Sequence, residues 1–125
     1  MEPASAVEAL SALAHAGRLA VFRLLVQAGV AGLSAGEVAR QVGALPNTLS
    51  ANLTILGHAG LVRSRRDGRS IIYTADYQRM GALLSFLMED CCNGAPEVCA
   101  PLAAIANRAV CCVTDNQNEI SEEVI

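Results

Sequence analysis

Residues 33–62 read LSAGEVARQVGALPNTLSANLTILGHAGLV. Ser34-Ala35-Gly36-Glu37 has the form of a capping box, a hydroxyl residue with a glutamate three positions on, and it opens a short helix through Gln41. Gly43 ends that helix. Leu45-Pro46 starts the next one, with proline at the first helical position, where its missing N–H leaves no bond unmade. Leu49, Leu53 and Leu56 recur at helical spacing and form the apolar stripe. The other face carries Asn47, Thr48, Ser50, Ala51, Asn52 and Thr54, small and polar with almost no charge, and Gly60 stops the helix. Two short helices across a glycine turn, the second with an uncharged polar face, predict a helix-turn-helix whose second helix can approach base edges in a major groove.

Downstream, LVRSRRDGRSIIYT (residues 61–74) reads as two short strands. Asp67-Gly68 is a hairpin turn signal, and the return strand is β-branched and aromatic. Arg63, Arg65, Arg66 and Arg69 crowd the turn, where Arg65, Arg66 and Arg69 can reach phosphates or a minor groove. Asp76 can cap a last helix with Tyr77, Met80, Leu83, Leu84, Leu87 and Met88 on its apolar side, stopped by Asn93-Gly94 and Pro96. A weaker helix is expected over about residues 101–110, and the acidic tail at residues 113–125 is expected to be disordered.

Upstream, Ser5-Ala6-Val7-Glu8 has the form of another capping box, with Val7, Leu10 and Leu13 following at helical spacing. Leu19, Phe22, Leu25 and Val26 suggest a second helix, broken by Gly29 and Gly32. The 125 residues suffice for one domain, and with 53% hydrophobic but only 3% aromatic residues the core must be built from alanine, leucine and valine. So few large side chains point to burial against a second copy, with Leu83, Leu84 and Leu87 needing a partner.

The formal charge of −3 hides an asymmetry. Residues 1–75 hold seven Arg and four acids (7 − 4 = +3), and residues 76–125 hold two Arg and eight acids (2 − 8 = −6). The front part can face a polyanion and the back part cannot. No stretch is long and uncharged enough to span a bilayer, and the opening MEPASAVEAL lacks the basic cluster of a secretory signal, so a cytoplasmic protein is expected.

Together, LSALAHAGRLAVFRLLVQAG (residues 10–29), the stretch at 33–62 and RRDGRSIIYT (residues 65–74) resemble the ArsR/SmtB family of small metal-responsive repressors. The resemblance spans roughly residues 5–90. It implies a mainly α fold with a β-hairpin wing, a homodimeric winged helix-turn-helix that covers double-stranded operator DNA and lets go when a metal or metalloid binds. It places Asn47 to Thr54 on the recognition helix and Arg65 to Arg69 at the wing tip. It puts the first and last helices in the dimer interface. Residues 1–90 would form this domain, residues 91–112 a sensor segment. Two familiar sensor sites do not carry over: LSAGEVA holds no thiol, and no histidine follows Asp76. His15, in an LAH stretch, is expected to cap or pack.

The cysteines are the remaining candidates. CCNGAPEVC, residues 91–99, brings Cys91, Cys92 and Cys99 together, and Cys111 and Cys112 form an accessory pair. Neighbouring helical side chains point about 100° apart, so the helix is expected to fray at Asn93-Gly94 and let Cys99 fold back. Three thiolates suit a soft three-coordinate centre such as trivalent arsenic or antimony, whereas zinc prefers four ligands. The expected inducer is therefore trivalent arsenic (arsenite, antimonite or methylarsenite as the soft ligand class), with no organic cofactor. Alternatives are buried packing thiols, a redox switch through a Cys92–Cys99 disulfide, or a zinc- or cadmium-sensing repressor. A thiol reductase is disfavoured, because Glu89 and Asp90 and a helix C-terminus all oppose a thiolate.

Overall fold

The computed structural model describes residues 1–88. Within it, Met1–Leu87 form one compact unit. In chain order the elements are α1 (Pro3–Leu13), α2 (Ala16–Ala28), a single 3-10 turn (Gly29–Ala31), β1 (Leu33–Ser34), α3 (Ala35–Val42), α4 (Pro46–His58), β2 (Val62–Asp67), β3 (Ser70–Ala75) and α5 (Tyr77–Met88). The five cysteines, the helix expected near 101–110, the stop at Asn93-Gly94 and the acidic tail lie outside the described residues.

α1 begins earlier than the Ser5 box suggests. Its N-cap is Glu2, with no side-chain cap bond, and Pro3 supplies the preset first turn. Its buried face is also different. Ala6, Ala9 and Ala12 pack inward, while Val7 and Leu10 stand 65% and 41% exposed. On α2 the same correction applies: Phe22 and Leu25 are buried with Val21, but Leu19 and Val26 face out.

His15 caps α2, its Nδ1 accepting from the N–H groups of Gly17 (3.1 Å) and Arg18 (3.4 Å). The Arg18 side chain in turn donates to the Ala12 carbonyl at 2.6 Å, closing the corner between α1 and α2. The core then gathers Phe22, Leu25, Val38, Leu49, Leu56 and Leu61, with α2 packed on α3, α4 and β3.

The sheet has three strands in the order β1-β3-β2, all antiparallel. The two-residue β1 pairs Leu33 with Tyr73 and Ser34 with Ile72, a strand too short for an alternating pattern to announce it. The hairpin runs from Val62↔Ala75 to Asp67↔Ser70, so its loop is Gly68-Arg69, one residue beyond the Asp67-Gly68 reading. Gly68 has φ +64°, as a tight hairpin turn of this kind requires at its first loop position.

Asp76 caps α5 as expected, its Oδ1 accepting from Arg79 N–H at 2.9 Å, while its own N–H donates to the Leu61 carbonyl at 2.8 Å. That second bond ties the start of α5 to the base of the wing. Leu83 is already buried within its own chain and needs no partner; Leu84 and Leu87 are 48% and 51% exposed. No single helix among the described residues is long and apolar enough to cross a membrane.

Candidate nucleic-acid interface

Local chemistry places the recognition helix. Ser34 Oγ accepts from Glu37 N–H at 3.2 Å and starts α3. The other half of the expected box is not made, because the Glu37 carboxylate turns to Arg40 and Gln41 along the helix. The Arg40 hydrogen bond, then that of Gln41, holds Glu37 below the ordinary carboxylate value. Gly43 adopts the left-handed conformation at φ +69° and turns the chain into α4. Leu49, Leu53 and Leu56 then seat α4 in the core.

Asn47, Thr48, Ser50, Ala51 and Thr54 are exposed on the outward side of α4. Asn52 is not. It is 6% exposed, inside the domain near the start of α2, where a Cβ on Gly17 would lie 3.3 Å from its Nδ2. The cause is periodic: Asn52 lies three residues after Leu49 and four before Leu56, so it shares their stripe whatever its polarity. It is therefore corrected from a base-reading position to an interior one. The Thr54 hydroxyl donates to the Ser50 carbonyl at 2.9 Å, leaving its oxygen free to accept. Leu45, read from sequence only as a helix start, stands 74% exposed beside Asn47 and Thr48. It is an apolar tip of the size that meets a thymine methyl.

The wing lies beside this helix. Ser50, Thr54 and His58 of α4 and Arg63, Ser64 and Tyr73 of the hairpin line a cleft of about 230 Å³ between the two elements. The register puts Arg66↔Ile71, Ser64↔Tyr73 and Val62↔Ala75 on one face of the hairpin. Val62 and Ala75 are buried, so this is the face turned towards the domain, and Arg66 carries it past the core edge. Arg69 occupies the loop itself.

Arg65 lies on the opposite face and does something else. Its Nη1 donates to the Val30 carbonyl at 3.3 Å and its Nη2 to the Ala31 carbonyl at 2.9 Å. An arginine read as a free phosphate contact is bonded back onto its own fold. The same end of α2 also receives Tyr77, whose hydroxyl donates to the Val26 carbonyl at 2.8 Å. Burial raises the Tyr77 phenol above its ordinary value, against a backbone hydrogen bond from Gly29 that lowers it, so it stays a donor.

Among the described residues no group of three His, Cys, Asp or Glu side chains could hold a metal ion. The His15 and Asp76 side chains serve as helix caps.

A helix-turn-helix with an exposed polar second helix and an arginine-tipped β-hairpin beside it is a winged helix-turn-helix DNA-binding domain. Residues 13–65 match a family model described as a helix-turn-helix domain. The chain is 33% identical over 83 residues to the HTH-type transcriptional regulator YgaV of Escherichia coli, covering 66% of this chain and 82% of that protein. A homodimeric winged helix-turn-helix DNA-binding domain from Mycobacterium bovis, described as a possible ArsR-family transcriptional regulator, superposes with a TM-score of 0.56 at 30% identity, over 69% of this chain and 80% of that one. A structure described as a possible transcriptional regulator for arsenical resistance gives a TM-score of 0.57 at 28% identity, over 78% and 95% of the two chains. The chain belongs to the ArsR-type helix-turn-helix transcriptional regulators. It is a DNA-binding regulator and not an enzyme.

Proposed function

We propose that this regulator is a homodimeric repressor of an arsenic-resistance operon, released from its operator when trivalent arsenic binds Cys91, Cys92 and Cys99. One observation carries the reading. The described reading head holds no cysteine and no cluster of ligand side chains, so sensing chemistry falls to the thiols that follow α5 in sequence. Three of the five lie between residues 91 and 99, the first of them three positions beyond Met88. Three thiols displace the three hydroxyls of arsenite: three As–S bonds form, three As–O bonds break, and each thiol proton leaves with a hydroxyl as water. The neighbour described as an arsenical-resistance regulator supports the same ligand class.

On DNA, Asn47, Thr48, Ser50, Ala51 and Thr54 read base edges, Leu45 meets thymine methyls, and Arg66 and Arg69 neutralise phosphates. A second copy covers Val7 and Leu10 of α1 and Leu84 and Leu87 of α5, the exposed apolar residues of those two helices. Because α5 begins at the base of the wing, through the Asp76–Leu61 bond, a change at its far end biases the spacing of the two reading heads. A coupling of about 1–3 kcal/mol changes operator affinity by roughly 5–150-fold.

The test is release of a fluorescent operator duplex by arsenite. Cys91→Ser, Cys92→Ser and Cys99→Ser each bind DNA like the wild type and lose most of the arsenite response. Cys99→Ser keeps a response to methylarsenite, which has only two exchangeable positions. Cys111→Ser and Cys112→Ser stay close to wild type. Full arsenite-driven release from the Cys91→Ser/Cys92→Ser double variant would move the sensor to the distal pair.

A further inference from the structure

We propose that Arg65 is a positioning residue for DNA binding: it braces the wing against the end of α2 and so sets the wing's angle to the recognition helix, rather than contacting a phosphate. The proposal rests on the DNA-binding reading and is independent of arsenic.

The geometry follows from the strand order. In the sheet β1-β3-β2, β2 is the outer strand of the hairpin, and β3 lies between it and β1. Strands lie about 4.8 Å apart. To reach the turn that precedes β1, the Arg65 side chain crosses over β3 on the face opposite Ser64 and Arg66. Its fork ends on two successive carbonyls, those of Val30 and Ala31. These carbonyls belong to the 3-10 turn just beyond the C-terminus of α2, the end of a helix where a cation is favoured.

The brace sits where the hairpin needs it. Every residue from Arg63 to Ser70 is exposed, so no packed side chain holds this outer half of the ribbon. A bare two-stranded ribbon is only marginally rigid. Among the described residues, the two bonds of Arg65 are the only side-chain hydrogen bonds from that outer half to the rest of the domain. Arg66 and Arg69 lie immediately beyond it. Losing the brace therefore leaves their charges in place but lets their direction wander.

A brace and a phosphate contact respond differently to salt and to lysine. Each phosphate neutralised by a side chain contributes about 0.9 to the slope of log affinity against log salt. Lysine replaces arginine well as a point charge on phosphate, but one ammonium cannot reproduce a rigid fork on two carbonyls.

The experiment titrates the full-length protein against a fluorescent duplex selected by the wild type from a random pool, over a range of salt concentrations. Arg66→Ala and Arg69→Ala each flatten the slope by about 0.9. Arg65→Ala weakens binding about tenfold, as loss of charged hydrogen bonds of roughly 1.5 kcal/mol would, with the wild-type slope retained. Arg65→Lys keeps the charge and the fold, checked by circular dichroism, yet stays as weak as Arg65→Ala. A slope that falls with Arg65→Ala as it does with Arg66→Ala, or affinity restored by Arg65→Lys, would overturn the brace. Wild-type binding with its full salt slope in the same titration tests the DNA-binding reading separately.

Discussion

Gly32→Ala will destabilise the domain by about 3 kcal/mol or more, moving its urea midpoint down by about 1–3 M. Gly32 has φ +71° and ψ −172°, a region that only glycine enters freely. A Cβ there would lie 2.5 Å from the Tyr73 carbonyl oxygen, 2.6 Å from Thr74 Cγ2 and 2.8 Å from Ile72 Cγ2. The first of these is backbone in β3 and cannot swing aside. The natural control is Gly29, with φ +78° and ψ −164° but nothing within 4 Å of an added Cβ. Gly29→Ala thus carries the conformational cost alone, about 1–3 kcal/mol. Equal midpoints for the two variants would show that β3 yields and that the close approach does not constrain the fold.

The second large effect concerns assembly. In the proposed homodimer, Leu84→Glu/Leu87→Glu will yield a monomer and weaken operator binding by about 100-fold or more, because two half-sites are no longer held as one unit. Full burial of a leucine contributes about 1.5–3 kcal/mol, and these two are already half covered in the single chain. Two per protomer leave on the order of 3–6 kcal/mol for the interface, or about 10²–10⁴ in the dimer dissociation constant. The introduced charges oppose association further. Sedimentation velocity at micromolar concentration reads the state directly. A monomeric wild type would overturn the dimer, and a dimeric glutamate variant would place its interface elsewhere.

The helix-turn-helix was legible because its signals are local. Ser34, Gly43, Pro46 and Gly60 mark helix ends through backbone requirements that any sequence must meet, and Leu49, Leu53 and Leu56 mark the buried stripe. Asp76 is likewise readable as a cap, and of the two roles expected for His15, capping or packing, the structure shows capping. What was missed depends on partners distant in sequence. Arg65 meets carbonyls 34 and 35 positions away, and nothing around it distinguishes it from Arg66. β1 exists only because β3 lies beside it. Asn52 is a different case: its polarity suggests an outward face, whereas its spacing from Leu49 and Leu56 puts it inside. On α1 the larger apolar residues Val7 and Leu10 carry the sequence signal, yet the smaller Ala6, Ala9 and Ala12 form the buried face. The five thiols lie beyond the described residues, so their roles rest on sequence chemistry.

That alanine face gives the amino terminus two masters. Besides Leu13 and the Arg18–Ala12 bond at its end, α1 is held to its own domain by three methyl groups, on the order of 2–3 kcal/mol together. An 11-residue helix with no side-chain cap is scarcely stable alone. Val7 and Leu10, the larger groups, stay exposed, free for the proposed second copy to cover. The order of this helix is therefore linked to protein concentration in a way that the order of α4 is not. Amide exchange on α1 should slow as the protein is concentrated, while exchange on α4 stays level, and on dilution the first helix should unravel ahead of the rest.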